Sequence, residues 1–103
     1  MDIIFSRKVA EELSERYTVL ELEPHIVEDK VLETFCVIES DKIPLNEVTM
    51  LEHWKKLHRE FVQANKEKNG KLCNDLAVYL TGKFGGELDE FYDIVRNRYL
   101  DQQ

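Results

Sequence analysis

Between Thr49 and Lys68 the chain reads TMLEHWKKLHREFVQANKEK, and its apolar positions recur every three or four residues, at Met50, Trp54, Leu57, Phe61 and Ala64. Leu51, His58 and Asn65 flank this stripe, so the spacing predicts a helix with one apolar face about 100° wide. Thr49 with Glu52 three residues on fits a capping box. In that motif the hydroxyl takes a first-turn N–H and the carboxylate reaches back to the Thr49 amide. Asn69-Gly70 supplies the stop, because glycine is at ease in the left-handed conformation that ends many helices.

Upstream, Asp2 to Phe5 is short and apolar and is followed by Ser6, a good N-cap. This predicts a short strand leading into a helix from Arg7 to about Arg16, with Val9, Ala10, Leu13 and Tyr17 on its inner side. A single helix from Ile3 is the alternative. Tyr17–Val27 and Val31–Glu39 alternate and are rich in β-branched and aromatic residues, the signature of two strands of a hairpin. A turn at Glu28-Asp29-Lys30 places Val27 opposite Val31. In that register Thr18, Leu20, Leu22, Leu32, Thr34, Cys36 and Ile38 share a nearly apolar face suited to helices. The reverse face mixes Tyr17, Val19, Phe35 and Val37 with Glu21, Glu23, Glu33 and Glu39. It is either covered by the first helix or a partner surface. Pro24 has no N–H for a ladder, so its strand is an edge there or bulges locally.

Downstream, Asp41 to Val48 is a connector ahead of the central helix. Leu72, Cys73, Leu76, Ala77, Tyr79 and Leu80 then predict a second, mostly buried helix. Thr81–Gly86 breaks the chain. Glu87–Leu100 forms a third helix with Leu88, Phe91, Tyr92, Val95 and Tyr99 on one face. Its acidic first turn and its Arg96 and Arg98 suit the helix dipole. Gln102 and Gln103 are expected to fray. The pattern is that of an α+β fold: a short N-terminal strand and helix, a β-hairpin in a two- or three-stranded sheet, then three helices packed on one sheet face. The 103 residues predict a single domain, with the strand-helix-hairpin part in 1–40 and the helical part in 41–103.

Charge changes this picture more than composition does. The net charge of −7 argues against general affinity for nucleic acid, whose phosphates would be repelled. The distribution is uneven, at −8 over residues 1–52, +4 over 53–71 and −3 over 72–103. The basic helix face, Lys55, Lys56, Arg59 and Lys66, is therefore a candidate for local nucleic-acid contact, and the acidic remainder a candidate DNA mimic. Against both stands the ordinary solvated helix face. No run of 18 apolar residues marks a membrane span. The N-terminus lacks a secretory pattern, and two distant cysteines, Cys36 and Cys73, fit buried thiols in a reducing cytoplasm.

Candidate chemistry is sparse. His53 and His58 are five residues apart, about 140° around a helix, which is the wrong spacing for a shared metal. His25 beside Pro24 reads as a surface histidine. Gly82-Lys83-Phe84-Gly85-Gly86 lacks the Walker spacing and follows a helix, not a strand, so it reads as punctuation between helices. The helical pair around Lys68-Asn69-Gly70-Lys71, with Trp54 and Tyr79, only loosely resembles a tetratricopeptide unit, since no second unit follows. Neither a catalytic group nor a cofactor or metal set is expected, and the chain does not read as an enzyme.

SRKVAEELSERYTVLELE at the start and LTGKFGGELDEFYDIVRNR near the end resemble small proteins of tailed phages, particularly marine, cyanophage-like ones. The resemblance implies a virus-encoded cytoplasmic accessory protein and brings no active residues with it. The expected role is a protein-interaction module, with an unidentified protein partner or a second copy as the contact. Its candidate surface is Tyr17, Val19, Phe35 and Val37, with Trp54 and Phe84 as aromatic anchors near the surface.

Overall fold

The computed structural model describes residues 2–100. The expected fraying of Gln102 and Gln103 lies outside the described residues. The fold is α+β, and it divides into two compact units, residues 1–43 and 44–103, with the boundary at Ile43-Pro44.

The first unit opens with β1 (Asp2–Ile4) and α1 (Arg7–Leu13), the strand-then-helix reading. Ser6 is the N-cap, its hydroxyl accepting from the Val9 amide at 3.2 Å. The helix ends at Leu13 instead of Arg16. The Ser14 hydroxyl donates to the Glu11 carbonyl at 2.7 Å, a local bond of the kind that competes with helix continuation. The four remaining strands are β2 (Thr18–Glu21), β3 (His25–Val27), β4 (Lys30–Leu32) and β5 (Phe35–Ile38).

They do not form one continuous hairpin. β1, β5 and β2 make an antiparallel sheet with β5 in the middle, and β3 and β4 make a separate two-stranded ribbon. β2 and β5 pair Thr18 with Ile38 and Leu20 with Cys36, two residues out of the expected register. A slip of two preserves the faces, so Leu20, Leu22, Thr34, Cys36 and Ile38 share a side and are buried. The ribbon pairs Val27 with Lys30 and Ile26 with Val31, across a two-residue turn instead of the expected three. Between the two ladders, Leu22-Glu23-Pro24 faces only Glu33-Thr34, so one extra residue sits on the first strand. This is the local bulge that Pro24 demands, and the Thr34 hydroxyl fixes it by donating to the Glu23 carbonyl at 2.7 Å.

The second unit begins with a 3₁₀ helix, Leu45–Met50, running straight into α2 (Leu51–Lys66). The capping box at Thr49 does not form. The Leu51 amide bonds to the Val48 carbonyl, so the 3₁₀ turn satisfies the first donors, and Glu52 turns to Lys55 instead. At the far end, Asn69 N–H reaches the Ala64 carbonyl (2.9 Å) and Lys68 N–H the Asn65 carbonyl (3.1 Å), a Schellman arrangement. Its left-handed residue is Lys68 (φ 57°), not Gly70. Asn69 instead caps α3 (Gly70–Leu80), accepting from the Leu72 amide at 3.2 Å. Gly70 serves close approach: a Cβ there would lie 2.9 Å from Cδ1 of Tyr99. That tyrosine is on α4 (Asp89–Leu100) and donates to Asn65 Oδ1 at 2.8 Å. Phe61, Cys73, Ala77, Leu80, Tyr92 and Val95 from the three helices, with Leu88 just ahead of α4, are fully buried.

Candidate functional site

The expected partner face is closed. Phe35 and Val37 are only 5% and 8% exposed, and Tyr17 and Val19 are half-buried. The cover comes from α1, whose Arg7 guanidinium lies 5.2 Å from the Phe35 ring centre. Arg7 donates through Nε and Nη2 to Glu33 and through Nη2 to Glu21 at 3.0 Å. The hydrogen bond to Glu33 is the main reason its pKa is raised above the ordinary arginine value. Two of the four carboxylates that made this face look too acidic for a core, Glu21 and Glu33, thus share one cation at the start of α1.

The aromatic anchors are also withdrawn from the surface. Phe84 is fully buried, and Trp54 is 9% exposed. The Lys83 ammonium sits 4.9 Å from the Trp54 ring centre and 5.9 Å from that of Tyr79, whose own ring is 5.4 Å from Trp54. Trp54 Nε1 is buried without a hydrogen-bond partner among the described residues.

On the basic helix, Lys56, Arg59 and Lys66 are exposed, while Lys55 is half-buried and holds Glu52 at 3.4 Å. Glu60 on the same helix and Glu67 at its C-cap are exposed, so carboxylates stand among these cations. Ala64 and Leu72 floor a surface groove of about 270 Å³ beside Glu60, Gln63 and Glu67.

The glycine loop holds carboxylates of its own chain. The Gly82 amide donates to Asp89 Oδ1 and the Phe84 amide to Glu47 Oε1, both at 2.8 Å. Gly82, Phe84, Gly85 and Gly86 all have positive φ, the curvature that turns amides toward an anion. Here the anions are Asp89 and Glu47, and the loop ties the 3₁₀ segment to the start of α4.

The structure separates the histidines sharply. His25 and His53 are exposed, whereas His58 is fully buried and its Nδ1 lies 2.8 Å from the Tyr92 hydroxyl. Phe61, Phe84 and Phe91 ring centres lie 6.1 to 6.4 Å from it. Nothing local in the sequence pairs residues 34 apart. The available signal was that His58 borders the α2 stripe and Tyr92 lies within the α4 stripe. Both cysteines are buried thiols with no disulfide among the described residues, and burial raises the Cys73 thiol pKa. Among the described residues no three His, Cys, Asp or Glu side chains gather as a metal set, and no helix is long and apolar enough to cross a membrane.

What remains open is the ribbon. Every residue of β3 and β4 is exposed, with Ile26 at 77% and Val31 at 64%. These two face each other across the ribbon, while Val27 and Leu32 lie on its other side. A two-stranded ribbon that shows apolar side chains on both faces has neither a core nor, among the described residues, a neighbour on either outer edge. The turn at its tip puts Glu28 and Asp29 at φ 51° and 66°, the type I′ geometry for which Asn and Gly are the better residues. Comparison with protein-family models, with curated proteins and with solved structures finds no match for the chain.

Proposed function

We propose that the chain is a protein-interaction module whose contact is the β3–β4 ribbon. The observation that supports this reading is the exposure of Ile26, Val27, Val31 and Leu32 on both faces of a ribbon whose edges pair with no other strand among the described residues. Contiguous exposed apolar residues of this kind mark contact sites far more often than scattered ones do. An isolated two-stranded ribbon is also marginal in water by itself, and a partner supplies the missing layer. Trp54, Phe61, Phe84 and Tyr92 are buried in the helical unit and so are not available as contact anchors. The likeness of the two end segments to small tailed-phage proteins fits an accessory factor of this type.

The test is capture from a lysate of the source cell by wild-type chain and by an Ile26→Asp/Val31→Asp variant, run beside a Val78→Asp control at an exposed apolar site on α3. A protein retained by wild type and control, and lost with the double variant, supports the reading. Retention by all three sinks it.

A further inference from the structure

The two outer edges of the ribbon differ in chemistry. A two-residue turn makes Val27 and Lys30 the hydrogen-bonded pair beside it, which leaves the amide and carbonyl of Ile26 on one outer edge and those of Val31 on the other. The β4 edge carries Lys30, the kind of charge that discourages strand addition. The β3 edge, His25-Ile26-Val27, carries neither carboxylate nor ammonium, and its centre is the most exposed large apolar strand residue among the described residues. Beyond its ends the charge returns: Glu23 before it, and Glu28 and Asp29, both exposed, after it. A short apolar edge is therefore bracketed by carboxylates.

Resting on the interaction reading above, we infer that the β3 edge receives an extended segment by strand addition, and that this segment has an apolar centre flanked on both sides by lysine or arginine. The Ile26 amide and carbonyl supply one reciprocal pair of backbone hydrogen bonds. Pro24 has no N–H, so the ladder cannot extend far past His25, and discrimination falls to the charges at the two ends.

A second copy of the chain is the main rival, and charge disfavours it. Antiparallel pairing about Ile26 sets His25 opposite Val27 of the other copy, Pro24 opposite Glu28, and Glu23 opposite Asp29. Symmetry makes the last contact twice, and like charges directly opposite destabilise a cross-strand pair. Each copy also carries a net charge of −7. The same carboxylates become counter-charges for a basic segment. The α2–α3 groove beside Glu60 and Glu67 is a weaker site, because it offers no backbone edge.

Fluorescence polarisation on the full chain tests this with two labelled seven-residue peptides. Each has valine at the centre and threonine on either side, with two lysines at each end in one and two glutamates at each end in the other. The lysine peptide should bind at least about tenfold more tightly than the glutamate peptide, and its affinity should fall as salt rises from about 0.05 to about 0.3 M. Ile26→Pro removes the edge amide and should abolish binding, while Ile26→Thr retains the amide and should bind within about threefold of wild type. Val31→Pro disturbs the ribbon equally but on the other edge, and should leave binding in place. Equal affinity for the two peptides, binding of neither, or loss with Val31→Pro as well as Ile26→Pro overturns the inference. So does a concentration-dependent dimer in sedimentation that Ile26→Pro abolishes, which would make the occupant a second copy. Ribbon-dependent capture from lysate, alongside failure of both peptides, keeps the interaction reading and removes only the chemistry assigned to the partner.

Discussion

Two ladders built from the same kinds of residue meet opposite fates in this protein. In β2 and β5 the apolar side chains Leu20, Cys36 and Ile38 are buried, and α1 covers the reverse side. In β3 and β4, a few residues further along the same two chain segments, Ile26, Val27 and Val31 stand in solvent. Strand propensity does not distinguish them, since both are rich in β-branched residues. The difference lies in what covers each ladder. The bulge at Glu23-Pro24 breaks the pairing and lets the outer part leave the layer that the inner part belongs to. A stretch that looks like core by composition becomes a surface because one imino acid interrupts the ladder.

The most sensitive way to break this comparison uses thiols. An Ile26→Cys variant should react with a thiol reagent at the rate of a free cysteine, while Cys36 and Cys73 in the native chain should react at least about a hundredfold more slowly, through opening of the structure. The pH dependence has a definite sign at Cys73. Burial raises its pKa, so less of it is thiolate at any given pH, and its rate should go on climbing with pH above about 8.5, where a free thiol has begun to level. If Cys36 labels as fast as the cysteine placed at 26, the two ladders are equally open.

A truncation series gives the next largest contrast. Leu20→Ala should cost about 2–4 kcal/mol, because the removed atoms leave a cavity in a packed layer. Ile26→Ala should cost less than about 0.5 kcal/mol, as is usual for an exposed site. Urea titration followed by circular dichroism measures both. In the helical unit Tyr92→Phe should cost about 1–2 kcal/mol, since it removes the hydroxyl that meets buried His58.

These contrasts also show where sequence reasoning succeeded. Element types, the faces of β2 and β5, the Ser6 cap, the Pro24 bulge and the stripes of α2 and α4 all follow from period and turn chemistry. The failures share a cause, which is that a local signal has more than one way to be satisfied. Thr49-x-x-Glu52 is a sound capping motif, but a 3₁₀ turn from Leu45 reaches the same donors first. Gly70 resembles a helix stop, yet Lys68 takes the left-handed position and Gly70 makes room for Tyr99. For Tyr17, Val19, Phe35 and Val37 the pattern leaves cover by the first helix and a partner surface both open, because nothing local says that Arg7 will pair with Glu21 and Glu33. The ribbon's exposure is hidden for the complementary reason: read as two continuous strands, the pattern puts Leu32 on the apolar face with Leu20 and Cys36, whereas it is exposed.

The smallest effect bears on the ribbon itself. Glu28 and Asp29 hold positive φ without the residues that favour it, and a side chain at a left-handed position costs about 1 kcal/mol or more relative to glycine. Replacing the pair by Glu28→Asn and Asp29→Gly should stabilise the ribbon by about 1 kcal/mol, seen as slower amide exchange at Val27 and Lys30, with little change in β2 or β5. The same change removes two of the carboxylates that bracket the β3 edge, so it separates the ribbon's stability from its recognition chemistry. A stiffer ribbon that loses the lysine peptide says that charge selects the partner. A stiffer ribbon that binds it better says that the strained turn keeps the arm loose, and that ordering on contact limits affinity. No change in exchange would mean that the turn is not what holds β3 to β4.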